Sequence, residues 1–106
     1  MGDAVSEPAR DAIVTIADAP ERSRYEISVD GVRAGFAEYT RTPGEIVYVH
    51  TEIDDAYGHR GLAGQLIRFA LDDSRARGEH VVARCPFVRD FLRKNPDYAE
   101  LTKRHA

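Results

Sequence analysis

One turn between two regular segments constrains the fold of this chain more than any other feature. Residues 57–63 separate a segment rich in β-branched residues, 45–53, from a segment with apolar residues at helical spacing, 62–77. A glycine-bearing turn that leads a strand into a helix presents several backbone N–H groups together, and the helix dipole adds partial positive charge. His59 and Arg60 can add more charge. The turn therefore suggests a site for a phosphate-bearing ligand. It also fits a plain connection with glycines for steric relief, because short glycine patterns recur by chance.

Four strand-like segments precede this turn. Apolar and polar residues alternate cleanly over 24–29, as expected for a strand with one buried face. Asp30-Gly31 is a strong two-residue hairpin signal, and Pro43-Gly44 marks a second turn. We therefore predict an antiparallel meander of four strands, over 12–17, 24–29, 32–40 and 45–53.

Helical and strand-like patterns alternate after the turn. Gly78 is placed to end the first helix in a left-handed conformation, and Cys85-Pro86 ends the next strand because proline cannot donate to a sheet ladder. The predicted order is a long helix, a fifth strand, a shorter amphipathic helix and a last helical turn or two, over 60–77, 80–84, 87–92 and 98–105. The chain is thus predicted to have an α+β fold, a four-stranded antiparallel meander followed by helix-strand-helix.

Length and composition bound the chain to a single globular domain. It has 106 residues, of which 42% are hydrophobic and 31% charged, enough for a core without metal or disulfide staples. We predict a flexible N-terminal segment over 1–10 and one domain over 11–106. The net charge of -3 argues against a nucleic-acid partner, which usually requires a basic surplus. No apolar run approaches membrane-spanning length, so no membrane partner is expected.

The cysteine and histidine content bears on compartment and on metal binding. The single Cys85 cannot form an internal disulfide, and the chain shows no signal-peptide pattern, so a cytoplasmic location is expected. The four histidines do not have zinc or haem spacing, and no second cysteine assists them. No metal site is therefore expected. The expected assembly is a monomer or a weak homodimer.

The turn resembles the cofactor motif of the GNAT superfamily of acetyl-CoA-dependent N-acetyltransferases. That motif, Arg/Gln-x-x-Gly-x-Gly/Ala, lies between the fourth strand and the following helix, and Gly61 and Ala63 match its last two fixed positions. Gly58 stands where the family has Arg or Gln, and Ile53 occupies the apolar strand position five residues earlier. The resemblance implies acetyl-CoA as co-substrate, with its pyrophosphate against the backbone of 59–63. The implied cofactor-binding residues are Ile53, Gly58, His59, Arg60, Gly61, Leu62 and Ala63, with His59 or Arg60 compensating for the side chain missing at Gly58.

The second half of the chain sharpens this resemblance. Cys85-Pro86-Phe87-Val88 and Asn95-Pro96-Asp97-Tyr98 look like segments of a small, single-domain GNAT subgroup. Such short proteins lack the two helices that usually follow the first strand, and this chain leaves no room for them between Ala17 and Arg24. The resemblance therefore implies a reduced GNAT-like fold in which one face of the sheet is open.

Acetyl transfer needs a base that takes a proton from the attacking amine. His50 and Glu52 are candidates, because they are two residues apart on one strand face, near the place where the resemblance puts the thioester. They could equally line the solvated side of the sheet. The long helix is expected to cover the Val47 and Val49 side, which would leave Tyr48, His50 and Glu52 reachable from the open face.

Cys85 is the third candidate catalytic residue. In the fold that the resemblance implies, the end of the fifth strand lies close to the reacting thioester. Cys85 could accept the acetyl group, protonate the leaving thiolate, or only pack, as buried cysteines usually do. Covalent catalysis is the less favoured alternative. The general-acid tyrosine typical of the family is not evident, since Phe87 and Phe91 occupy the second helix and Tyr98 lies farther on.

The function that the resemblance implies is acetyl-CoA-dependent N-acetyl transfer to an unidentified amine acceptor, by direct attack on the thioester. The alternative is a noncatalytic acyl-CoA-binding or protein-interaction module on a reduced GNAT scaffold, because the missing helices normally help to form the acceptor groove. Turnover of acetyl-CoA with a panel of amines separates the two.

Overall fold

The computed structural model describes residues 12–58 and 60–103, which form one sheet with helices packed on it. The strands are β1 (Val14–Ala19), β2 (Arg24–Val29), β3 (Val32–Thr42), β4 (Glu45–Ile53) and β5 (His80–Ala83). The helices are α1 (Leu62–Ala76) and α2 (Pro86–Lys94), with short 3-10 segments at Pro20–Arg22, Asp55–Tyr57 and Pro96–Thr102. The predicted flexible segment 1–10 and the end of the predicted last turn lie outside the described residues. No described helix is long and apolar enough to cross a membrane.

The strands lie in the sheet in the order of the sequence, β1 to β5. The first four pair antiparallel, and β5 joins β4 in parallel. Asp30 and Gly31 both have positive φ, 51° and 83°, as the tight hairpin turn predicted from their sequence requires. The predicted α+β fold, a meander followed by helix, strand and helix, is confirmed. β1 and β3 each continue two residues beyond their predicted ends.

Helix α1 connects β4 to β5 and covers one face of the sheet. Its buried positions recur at helical spacing and make the core contact with the inward residues of the strands. Gly78 follows the helix with φ 71°, the left-handed conformation predicted for its end. The buried residues of α1 are Leu62, Leu66, Ile67, Ala70, Leu71 and Ser74.

In the first half of β4, α1 covers the side opposite to the one that the sequence analysis expected. Tyr48 is 1% exposed, and its hydroxyl donates to the Ala70 carbonyl (3.0 Å) and contacts Ser74 Oγ (2.7 Å). The expected packing of α1 on Val47 and Val49 is therefore wrong, and Tyr48 is not reachable from the open face. A tyrosine ring gains more from burial than a valine does when its hydroxyl finds partners, as it does here.

A β-bulge at Val49 reverses the faces to which the side chains in the second half of β4 point. Tyr48 pairs with Tyr39 of β3, and His50 pairs with the preceding Glu38, so Val49 is an extra residue opposite β3. Because side chains alternate along a strand, one extra residue moves all those that follow to the other face. His50 therefore points away from α1 although Tyr48 points toward it.

The predicted open face is present at His50 and Glu52. Their side chains are 53% and 57% exposed, and the ring of Phe36 on β3 lies 6.1 Å from the His50 ring. α2 and the segment Pro96–Thr102 do not cover this face, because they pack beside α1. Tyr98 of that segment is buried against α1.

Side-chain hydrogen bonds hold the C-terminal segments against α1. The Tyr98 hydroxyl donates to Asp72 (2.6 Å), and Arg68 donates to the side-chain oxygen of Asn95 (3.0 Å). Burial, followed by the hydrogen bond to Asp72, raises the pKa of Tyr98. Tyr98 is thus a neutral packing residue in this arrangement.

A charged cluster ties β1, β2 and β3 to the residue that precedes β5. Arg41 donates to Glu79 (2.7 Å), to Asp18 (3.0 Å) and to the hydroxyl of Tyr25 (2.7 Å). That hydroxyl in turn donates to Asp73 of α1 (2.6 Å). Burial, followed by the hydrogen bond to Asp73, raises the pKa of Tyr25, so the tyrosine stays neutral. Glu79 is 7% exposed, and Arg41 is its ion-pair partner at this buried position.

Candidate functional site

β4 and β5 separate where their pairing ends. The parallel register runs from Glu45 opposite His80 to Tyr48 opposite Ala83. The N–H groups of Arg84 and Cys85 then both donate to the Tyr48 carbonyl, at 2.9 and 3.0 Å, so the chain turns away from β4. Beyond that point the recorded pairing of β4 among the described residues is with β3 alone. The outer edge of 49–53 thus borders a gap in the sheet.

The N-terminus of α1 lies at the same end of the sheet as this gap, because α1 connects the parallel strands β4 and β5. Gly61 precedes the helix with φ 73°, and the Gln65 N–H makes a hydrogen bond to the Gly61 carbonyl (3.2 Å). No side chain of the described residues caps this end. The N–H groups of Leu62, Ala63 and Gly64 have no carbonyl of a preceding helical turn to donate to, and the helix dipole adds partial positive charge around them. This arrangement can bind an anion.

The other predicted cofactor residues surround this helix end. Ile53 ends β4 and packs against the core, and Gly58 follows the 3-10 turn Asp55–Tyr57. Arg60 is exposed, and its guanidinium lies 5.5 Å from the centre of the Tyr57 ring. His59 lies outside the described residues.

Cys85 lies between β5 and α2, where it forms the N-cap of α2. It is 3% exposed, and its thiol donates to Thr51 Oγ1 at 3.4 Å. This contact joins the β5 side of the gap to the β4 side. A hydroxyl is a poor base, so the Thr51 contact does not activate the thiol as a nucleophile.

His50 and Glu52 form a pair on the open face. Their closest atoms, His50 Nε2 and Glu52 Oε1, are 3.1 Å apart. They flank Thr51, which points to the α1 side. The structure therefore brings His50 and Glu52 together but places Cys85 on the other side of the sheet backbone. A group lying in the gap between the strands can be approached from both sides.

Thr51 and Gly64 lie at this candidate site, although the sequence analysis did not name them as candidates. Gly64 follows the matched motif directly and leaves open space where a Cβ would lie. Its position one residue after Ala63 was a usable signal. Thr51 gave no comparable signal, because its contact with Cys85 spans 34 residues.

Two cavities lie away from this helix end. Their volumes are about 500 and 640 Å³, and both border β5 and the Pro96–Thr102 segment. Neither cavity is lined by residues 60–64. No group of three or more metal-ligating side chains occurs among residues 12–58 and 60–103.

The comparisons with known proteins identify the family of the chain. A family model described as GCN5-related N-acetyl-transferase matches residues 24–101. Comparison with curated proteins found no significant match. A solved ribosomal-protein-alanine N-acetyltransferase from Brucella melitensis biovar Abortus 2308 is 21% identical, with TM-score 0.54, over 78% of this chain and 63% of that chain. A Trypanosoma brucei acetyltransferase is 22% identical, with TM-score 0.46, over 82% of this chain and 66% of that chain.

The likeness to the Brucella structure is one of fold. This chain spans less than two thirds of that protein's length. The family model, by contrast, covers well over half of this chain, from β2 through the Pro96–Thr102 segment.

Proposed function

Because this chain belongs to the family of GCN5-related N-acetyltransferases, we propose that it transfers the acetyl group of acetyl-CoA to an amine. The observation that carries the proposal is the meeting of the uncapped N-terminus of α1 with the unpaired outer edge of β4. The helix end offers N–H donors to a pyrophosphate, and the strand edge offers backbone groups to the amides of the pantetheine arm.

The pyrophosphate contacts are assigned to the backbone of residues 59–64. The left-handed Gly61 lets the N–H groups of Leu62, Ala63 and Gly64 point to one place. His59 and Arg60 supply the positive charge that the family motif would place at Gly58. Ile53 forms the apolar wall at the end of the strand.

The amine attacks the thioester carbonyl directly. A C–N bond forms, the C–S bond breaks, and the thiolate leaves and takes a proton. The base must first remove a proton from the ammonium. His50 is the proposed base, with Glu52 accepting the hydrogen bond from its Nε2–H, so that the Nδ1 lone pair is left to take the proton. Exposure of both side chains supports this role, because an acceptor can reach them.

Cys85 is proposed to shape the acetyl end of the pocket. Its burial and its hydrogen bond to Thr51 support a noncovalent role over an acetyl-enzyme. The thiol can still donate a proton to the leaving group from this position.

The noncatalytic alternative is favoured by the open sheet face at His50 and Glu52, which lacks walls for an acceptor groove. Thiol release from acetyl-CoA with a panel of small amines, lysine peptides and peptide N-termini separates the two functions. CoA binding measured by calorimetry in parallel shows whether the cofactor site is present. We expect binding together with turnover of at least one acceptor class. Absence of CoA binding in the folded protein would sink acetyl transfer and the acyl-CoA-binding module and would leave only a protein-interaction module. Binding without turnover of any acceptor would favour the noncatalytic module.

A further inference from the structure

None of the described residues pairs with the outer edge of β1, which is at the end of the sheet. Edge strands of native proteins are usually blunted by lysine, proline or a bulge. The six residues of β1 include none of these, and their register with β2 is regular.

The register with β2 shows which backbone groups face outward. The Ile13 carbonyl accepts a hydrogen bond from the Asp30 N–H (2.8 Å), so Ile13 faces β2. Because the direction alternates, the N–H and C=O groups of Val14, Ile16 and Asp18 point away from the sheet. These groups have no recorded hydrogen-bond partner among the described residues.

The outward positions are self-complementary about Ile16. In an antiparallel pairing of two copies with the two-fold axis at Ile16, Val14 of each chain faces Asp18 of the other, and Ile16 faces itself. All three pairs are then of the hydrogen-bonded kind, which makes six N–H···O bonds. The C₂ arrangement uses the same strand from both copies.

The charge on this edge does not oppose self-pairing. Asp18 is the charged residue of β1, and its carboxylate already accepts hydrogen bonds from the Tyr39 hydroxyl (2.5 Å) and from Arg41 (3.0 Å). Arg77 lies 3.4 Å from the same carboxylate. The two Asp18 side chains of a dimer would therefore not meet as unpaired like charges.

Exposed apolar side chains lie on β1 and on the neighbouring strand and helix. Ile13 directly precedes β1, and Val14 is its first residue. Val32 is the first residue of β3, and its partner on β2, Val29, also pairs with Val14. Phe69 of α1 is 40% exposed and packs beside the Tyr25 ring, on the face to which Ile16 belongs. An added strand would cover part of this surface.

We propose that two copies of this chain associate through β1 in antiparallel register, which joins their sheets into one. Pairing along a single short strand buries less than the roughly 1,600 Å² of a standard interface, so the dimer is weak. β5 lies at the opposite end of the sheet, so both proposed acetyl-transfer sites stay open.

Cysteine cross-linking tests the proposed register. In Ile16→Cys the two introduced cysteines face each other with Cα atoms about 5.5 Å apart, within the range that a disulfide spans. In the matched control Val14→Cys they are about 14 Å apart along the strand direction, which a disulfide cannot bridge. We expect mild oxidation to convert Ile16→Cys to a covalent dimer and to leave Val14→Cys and the wild type, which controls for Cys85, as monomers.

Hydrogen exchange on the wild-type chain gives a second measurement that needs no variant. The amides of Val14, Ile16 and Asp18 should become protected as protein concentration rises, while those of solvent-facing turns should not. Equal cross-linking of the two variants would overturn the register. A wild type that sediments as a monomer at millimolar concentration, with no added protection, would overturn the dimer and leave the edge to another strand, from residues 1–11 or from a different protein.

Discussion

Tyr48 and His50 lie two residues apart on β4 yet point to opposite faces of the sheet. The bulge at Val49 separates them. Tyr48 is fixed in the core by its bond to the Ala70 carbonyl, and His50 is placed on the open face beside Glu52. The bulge therefore decides which residues of β4 can meet an acceptor.

The pair on the open face should affect turnover without affecting cofactor affinity. In the double variant His50→Gln/Glu52→Gln we expect kcat/KM to fall about 100-fold, a typical contribution of a general base. CoA affinity by calorimetry should change less than twofold, because the proposed pyrophosphate contacts are elsewhere. Glu38→Gln, on the same face opposite His50, is the matched control. Wild-type turnover in the double variant would remove the pair from the mechanism.

The contact between Cys85 and Thr51 should shape the pocket. Cys85→Ala removes a buried thiol, so we expect lower turnover with CoA binding retained and about 1 kcal/mol less stability. Thr51→Val deletes only the acceptor of the thiol hydrogen bond and should have a smaller effect on turnover. Intact mass after rapid mixing with acetyl-CoA should show no acetylated protein. An acetyl group that forms on Cys85 at the rate of turnover would establish the covalent route instead.

Gly61 and Gly64 make a matched test of backbone conformation. A Cβ meets nothing within 4 Å at either position, but Gly61 has φ 73° and Gly64 lies in the helix. Gly64→Ala should raise the free energy of unfolding by about 1 kcal/mol through helix propensity, and Gly61→Ala should lower it by about 1 kcal/mol. Urea unfolding measures both. Equal effects of the two substitutions would contradict the left-handed assignment at Gly61.

Cofactor binding at the same turn needs a substitution that tolerates the backbone. Gly61→Asn adds a side chain while keeping access to the left-handed conformation. We expect it to weaken CoA binding by obstructing the approach of the pyrophosphate, with little loss of stability. Unchanged affinity by calorimetry in the folded variant would move the pyrophosphate away from residues 59–64.

The ion pair of Arg41 and Glu79 should behave as a buried pair. Arg41→Met leaves Glu79, whose side chain is 6% exposed, without its cation, and we expect a loss of about 3–5 kcal/mol. The double variant Arg41→Met/Glu79→Met should recover much of that loss. Arg77→Met, at a 45% exposed side chain, is the control and should cost about 1 kcal/mol or less. A double variant no more stable than Arg41→Met would show that the pair is not coupled.

Acid should weaken the fold through Glu26. Hydrogen bonds from Arg22, opposed in part by burial and helped by Arg24, lower the pKa of Glu26 from 4.5 to about 2. A lowered folded-state pKa contributes stability that is complete above the unfolded-state value and is lost as the pH falls through the folded-state value. The contribution, about 1–3 kcal/mol, should therefore disappear between roughly pH 4.5 and 2. Glu26→Gln should flatten that part of the stability curve, and an unchanged slope in this variant would contradict the assignment.

The family resemblance and the element order could be predicted from local patterns. Alternation over β2, the turn residues Asp30 and Gly31, and the apolar stripe of α1 each depend on residues within a few positions of one another. Gly61 and Ala63 identified the turn before α1 in the same way. The match of the family model to residues 24–101 confirms the family resemblance.

The faces of β4 could not be predicted in this way. Simple alternation groups Tyr48 with His50, and the sequence contains no mark of the extra residue between them. The bulge follows from the pairing with β3, in which Tyr39 pairs with Tyr48 and Glu38 pairs with His50. It allows the apolar ring to enter the core and the charged groups to remain in water.

The sequence by itself determined where strands, turns and helices form, since hydrophobic period and turn chemistry act over a few residues. Only the tertiary structure decided which side of β4 lies under α1, that Cys85 meets Thr51, and that Glu79 is held by Arg41. Those contacts join residues 34 and 38 positions apart, and they depend on strand register and burial, which no local pattern encodes.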